Sequence, residues 1–250
     1  MIVSAQQTNY VPGTYAHKRP AVAQTAQQYI REWEQKRFKA GEPKAVPAQI
    51  PPAICFSRKI GVGALEVADI LAGKIKFRVA DREILETIAA DNKLAAKTVA
   101  FFDERYPGKM VELTTMLFGE KSFIMSDYIR KIISAVFAMA ETGSTIFVGR
   151  GLHLLLPRDR VLAVRFISSD DHRIERLSRI LGIDSQAAAG VLKKSDKEQQ
   201  EFFKRAFGRK EATPYEFDLV INFDYLKRPA SAAAVVAAAF REKFKNRYGG

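Results

Sequence analysis

The stretch from Ile54 to Ala68, I-C-F-S-R-K-I-G-V-G-A-L-E-V-A, constrains the fold of this chain more than any other. Pro51 and Pro52 precede it, and the apolar run Ala53 to Phe56 reads as a short buried strand. Ser57 to Gly63 reads as a turn, and Ala64 to Leu71 as a helix with Leu65, Ala68 and Leu71 on its apolar face. In a strand–turn–helix unit of this kind, Gly61 and Gly63 permit a tight backbone. Amide N–H groups and the positive end of the helix dipole then converge where a phosphate could sit. The full phosphate-loop signature is G-x-x-x-x-G-K-[ST], in which the Lys reaches the terminal phosphates and the hydroxyl holds magnesium. Aligned on Gly63, this chain has Ala64 at the lysine position and Leu65 at the hydroxyl position. Two readings stay open from these residues alone: a phosphate site, or a plain strand-to-helix turn.

A chain of 250 residues can bury one sizeable α/β core and still carry an appendage. One cysteine, Cys55, excludes an internal disulfide, suits a reducing cytoplasm, and stands in the expected buried strand. No apolar run approaches bilayer-spanning length, and Met1 to Tyr10 lacks the basic start and apolar middle of a signal peptide. The expected setting is cytoplasmic, with no membrane partner. The net charge of +12 suits nucleic acid or small anionic ligands such as nucleotides. Its basic residues are scattered, and no aromatic-interleaved RNA motif, zinc spacing or helix-turn-helix pattern stands out, which argues against nucleic acid.

Along the chain, 1–20 has no period and reads as a tail, whereas Val22, Ala26, Tyr29, Ile30 and Trp33 predict an amphipathic helix from Ala21 to Lys39. That helix is expected to dock on the main domain or on a second copy of the chain. The proline-rich segment 41–52 reads as a linker, which divides the chain into an appendage, 1–52, and a domain, 53–250. Ile75 to Val79 suggests a strand, and Asp81 a cap for a helix carrying Ile84, Leu85 and Ile88. Asp81 and Arg82 thus fall at a strand-to-helix junction, where ligands collect in open α/β sheets. Lys93 to Phe118 gives ambiguous helical fragments around a turn at Pro107 and Gly108, and Phe123 to Glu141 the clearest helix.

Thr145 to Val148 is a further expected strand, followed at once by Gly149, Arg150 and Gly151. An arginine placed there stands near the rim of the sheet, positioned for a bidentate phosphate contact or simply lying in a loop. Strands are also expected at Val161 to Ile167 and Phe217 to Phe223, and helices from Asp170, from Asp184 to Phe207, and from Ala230 to Tyr248. Such alternation implies a mostly parallel sheet covered on both faces. His17, His153 and His172 form no metal-ligand pattern, and hydrolase signatures are absent.

Read jointly, S-R-x-x-G-x-G-x-x-E-V-A, then A-D-R-E-I-L, V-G-R-G, F-I-S-S-x-x-x-R-I-E-R, S-D-K-E-x-x-x-F-F-K-R-x-F-G and Y-E-F-D-L-V-I-N resemble the cytidylate kinase-like family of phosphate-loop nucleoside monophosphate kinases. The resemblance covers Ile54 to Phe223. It implies an α/β class fold, a three-layer α/β/α P-loop NTPase with a parallel sheet of about five strands and a mobile helical lid near 180–210. It also implies ATP and Mg²⁺ as cofactors and nucleotides as small-molecule partners. Ser57, Arg58, Lys59, Gly61 and Gly63 then match the phosphate loop, and Asp81, Arg82, Arg150 and Asp196 the acceptor and lid segments. Arg58, Lys59, Arg150, Lys204 and Arg205 would supply positive charge to the moving phosphoryl group, Arg58, Lys204 and Arg205 as the catalytic cations.

This chain departs from the family pattern in two places. Leu65 replaces an arginine that commonly precedes the loop glutamate, and Gln199 replaces a lid arginine three residues past Asp196. Loss of a charge-stabilising group commonly costs a hundredfold or more in rate. Two functions are therefore carried forward: an ATP-dependent kinase of CMP or a related monophosphate, and a nucleotide-binding or protein-interaction module that kept the fold and lost the chemistry.

Overall fold

β1, Ala53–Arg58, is buried at every position and lies in the middle of the sheet. The computed structural model describes residues 22–40, 50–118, 127–149 and 151–248. Four further strands, β2 (Arg78–Asp81), β3 (Thr145–Val148), β4 (Val161–Ile167) and β5 (Leu219–Asn222), complete the order β2-β3-β1-β4-β5. Every neighbouring pair is parallel, with Ile54 opposite Ile146 on one side and Leu162 on the other. Parallel pairing needs helical crossovers, and helices cover both faces as the alternating sequence predicts.

The pleat sorts the strand residues between two cores. Ala53, Cys55, Phe147, Val161 and Ala163 pack with α1 (Val22–Ala40), α3 (Arg82–Ala90), α4 (Asn92–Arg105) and α6 (Asp127–Thr142). Ile54, Phe56, Ile146, Val148, Leu162 and Val164 pack with α2 (Ala64–Ile75) and α9 (Pro229–Tyr248). The result is a three-layer α/β/α sandwich. A small third cluster joins Ile60 to Leu177, Ala188 and Leu192 of α7 (Asp170–Leu181) and α8 (Ser185–Phe207), which rest beside the C-terminal end of β1.

α1 docks on the main domain through Ala26, Ile30 and Trp33, with Trp33 set edge-on to Phe101 at 5.1 Å between ring centroids. Of the two docking partners the sequence left open, the structure describes this one. Residues 1–21 and 41–49 lie outside the described part, as do 119–126, which include the expected start of the helix at Phe123. The ambiguous segment 93–118 resolves into α4 and α5 (Lys109–Phe118) on either side of the Pro107–Gly108 turn.

The strand expected at Ile75 to Val79 lies instead at Arg78–Asp81. α2 runs to Ile75, and Lys76 adopts the left-handed region (φ 58°) as its C-cap, so the chain cannot extend until Arg78. Asp81 therefore ends β2 and caps α3, its Oδ1 accepting from the Ile84 N–H at 3.1 Å.

Candidate active site

Beyond β1 the chain turns through Gly61 (φ 87°) and Gly63 (φ 94°), a left-handed backbone that favours glycine. Space demands glycine as well. A Cβ on Gly61 would stand 3.1 Å from the Cβ and carbonyl of Arg173, and one on Gly63 would stand 3.1 Å from Arg176 Nε. α7 thus lies directly on the turn. Arg173, 1% exposed, donates from Nε to the Ile60 carbonyl (2.7 Å) and grips Asp196 of α8 with both terminal nitrogens (2.9 and 2.6 Å). Arg176 pairs with Glu66 in the first turn of α2 at 2.5 Å. Ala64 and Leu65, at the lysine and hydroxyl positions of the signature, are fully buried in the α2–α9 core. The turn is a glycine turn in the left-handed region that presents neither the signature lysine nor the signature hydroxyl.

Next to the turn, the C-terminal ends of β1, β3 and β4 open into a solvent-connected cleft. Its basic lining is Arg58, Lys59, Arg82, Arg165 and Lys210; its acidic lining is Asp196, Glu198 and Glu211. Phe202 and Phe203 contribute apolar wall. Asp196 is already neutralised by Arg173, and Arg82 pairs with Glu86 at 2.9 Å. Arg58 is the unusual member: it is 5% exposed, and its Nε has no hydrogen-bond partner among the described residues. Its carbonyl accepts from Gln199 Nε2 at 2.9 Å, so the residue at the lid-arginine position ties α8 to the root of the glycine turn. Ser57 Oγ accepts from Arg165 Nη1 at 3.2 Å.

The expected residues therefore separate. Ser57, Arg58, Lys59, Arg82 and Asp196 line one cleft; Gly61 and Gly63 shape the adjoining turn under α7. Asp81 is buried as a helix cap and does not line the cleft. Lys204 and Arg205, expected as catalytic cations, are exposed on α8 and are not part of the lining, because Phe202, Phe203, Ala206 and Phe207 take the buried side of that helix. Arg150 lies outside the described residues; its neighbours Gly149 and Gly151 line the cleft.

Arg165, Arg173, Arg176 and Glu211 join the site without being expected there from sequence. The available signal for Arg165 was one charge inside the otherwise apolar strand V-L-A-V-R-F-I. Behind Gly151, His153 is buried against the Phe217 ring and 3.3 Å from Glu216, which Arg209 holds in a two-point ion pair. Burial pushes the imidazole pKa down to about 4 although the Glu216 carboxylate opposes the shift, so His153 is neutral at physiological pH.

Among the described residues no group of three His, Cys, Asp or Glu side chains could hold a metal ion, and no helix is long and apolar enough to cross a membrane. With Leu65 at the hydroxyl position, the described residues do not form a protein site for Mg²⁺.

The model of a family described as the cytidylate kinase-like family matches residues 53–225. No curated protein matches the sequence. Among solved structures, an uncharacterized protein from Eubacterium ventriosum superposes with a TM-score of 0.60 at 19% identity, covering 78% of this chain and 99% of that one. Shikimate kinase from Bacteroides thetaiotaomicron aligns with a TM-score of 0.39 at 14% identity, covering 76% of this chain and 98% of that one. The first of these likenesses shows a shared fold.

Proposed function

The chain belongs to the cytidylate kinase-like family, and from that premise we propose that it transfers the γ-phosphoryl group of ATP to a small phosphorylated acceptor, CMP or a related nucleoside monophosphate. In this reading the donor phosphates meet the backbone of the Gly61–Gly63 turn and the N-terminus of α2, and the acceptor phosphate enters the cleft. An acceptor phosphate oxygen attacks the γ-phosphorus; the bond from that phosphorus to the oxygen bridging it to ADP breaks, and ADP leaves. Phosphoryl transfer asks the protein chiefly to position two anions and offset their charge. Mg²⁺ would arrive on the nucleotide's own phosphates, and no step is assigned to a protein-bound ion. The lone buried cysteine and the nucleotide substrates suit a cytoplasmic setting.

One observation carries the proposal: Arg58, a buried cation whose Nε has no partner among the described residues, lines the cleft at the root of the glycine turn. An arginine kept dry and incompletely bonded is unfavourable in the empty protein and becomes favourable when an anion meets it. A second reading, a binding module without catalysis, is favoured by Ala64 and Leu65, which leave the turn without side-chain cation or hydroxyl. ADP formation from Mg-ATP, measured against a panel of nucleoside monophosphates, separates the two. Turnover above the acceptor-free rate with at least one of them is expected. Binding of a monophosphate without ADP formation selects the second reading.

A further inference from the structure

The Arg165 guanidinium is the one charge on β4, and its side chain is only 16% exposed. A cation in that position needs partners, and those it has are weak. Ser57 supplies a neutral hydroxyl at 3.2 Å, and the Phe217 ring lies 5.6 Å from the guanidinium carbon. Among the described residues its carboxylate partner, Glu211, stands 3.5 Å away, longer than a charge-assisted hydrogen bond of roughly 2.7–2.9 Å. The neighbouring Arg173–Asp196 pair, closed at 2.6 Å, sets the contrast.

Glu211 itself is 65% exposed. It lies between the Gly208 cap of α8 and the 3-10 turn Pro214–Glu216, which Arg209 and Thr213 tie down through Glu216. Its carboxylate can therefore leave Arg165 without disturbing either anchor.

We infer that Arg165 and Glu211 form a displaceable ion pair, and that the ligand displacing Glu211 is a dianionic phosphate monoester. Exchanging one carboxylate for another gains no charge. A phosphate monoester carries close to two negative charges above its second pKa of about 6 and offers oxygens in the spacing a guanidinium fork accepts. Arg58 lines the same cleft with an Nε that has no partner among the described residues, so the incoming phosphate has a second buried donor to meet. The inference rests on the kinase reading only for calling this phosphate the acceptor's; the exchange requires no phosphoryl transfer.

The test titrates the full chain with CMP and with inorganic phosphate at pH 7.5, using Arg165→Ala, Arg165→Lys and Glu211→Gln beside the wild type. Arg165→Ala is expected to weaken both probes by about 10- to 100-fold, the worth of a charge-assisted contact, and Arg165→Lys by less. Glu211→Gln, at an exposed position that folding tolerates, is expected to tighten both by about threefold or more. A purely structural Arg165 would not give that gain. Unchanged or weaker binding in Glu211→Gln overturns the inference, as does a wild type that binds neither probe. If the probes bind and the variants respond as stated while no ADP forms, the ion-pair exchange stands and the kinase reading alone fails.

Discussion

The glycine turn and the cleft beside it share β1 yet are built on opposite terms. The turn holds two glycines in the left-handed region, and its nearby arginines are engaged: Arg173 with Asp196 and Ile60, Arg176 with Glu66. The cleft has cations held loosely or without a full set of partners, Arg58 and Arg165 above all. Burial with partners stabilises a fold, whereas burial without them costs stability and is kept where a ligand completes the site. Substitutions in the two regions should therefore move stability in opposite directions.

The largest effect belongs to the turn. Arg173→Ala leaves Asp196 and the Ile60 carbonyl without their shared donor, and should lower unfolding free energy by about 3–5 kcal/mol in chemical denaturation. A loss below about 1 kcal/mol would mean that α7 does not hold the turn, and the contrast would dissolve. Next comes Leu65→Ser, which restores the signature hydroxyl. Because Leu65 is fully buried in the α2–α9 core, the change should cost about 3 kcal/mol and leave ATP affinity no better. Tighter ATP binding at little cost in stability would show that the side chain reaches the donor site after all.

A pH titration probes the wall behind the cleft. His153 titrates near 6.5 when unfolded and near 4 when folded, so its contribution is fully present above about pH 6.5 and is lost as pH falls from there towards 4. The loss should be on the order of 3 kcal/mol, and His153→Gln should flatten that part of the stability profile. An equally steep profile in the variant would assign the loss to other groups. The smallest effect in magnitude has the opposite sign. Arg58→Met should raise stability by about 1 kcal/mol while weakening phosphate-monoester binding about 10-fold or more. A destabilised variant would make Arg58 a structural residue and remove the observation on which the functional reading stands.

What sequence could reveal depended on whether the cause was local. Gly61 and Gly63 were legible because a left-handed turn between strand and helix favours that residue, and the cap made by Asp81 because a carboxylate ahead of R-E-I-L accepts from the first turn of the helix; its second expected use, in the acceptor segment, is not seen in the cleft lining. The parallel sense of the sheet followed from alternation of strands and helices, whereas the strand order β2-β3-β1-β4-β5 and the position of β2 did not. The Arg173–Asp196 pair joins residues on two helices, and no local pattern announces such a bond. Lys204 and Arg205 looked like site cations by motif, yet the phenylalanines beside them decide which side of α8 faces inward. Nothing local in the strand Val161–Ile167 ties Arg165 to the site, because its neighbours Ser57 and Glu211 come from distant parts of the chain.

A single-turnover reaction with γ-labelled ATP, excess enzyme and saturating CMP tests the central claim most directly, because it follows the phosphoryl group itself. The account predicts label in the acceptor's new diphosphate with the wild type, and at least a 10-fold lower yield at matched time with Arg58→Met. Label that stays on ATP or goes to water, with both ligands shown to be bound, would contradict it.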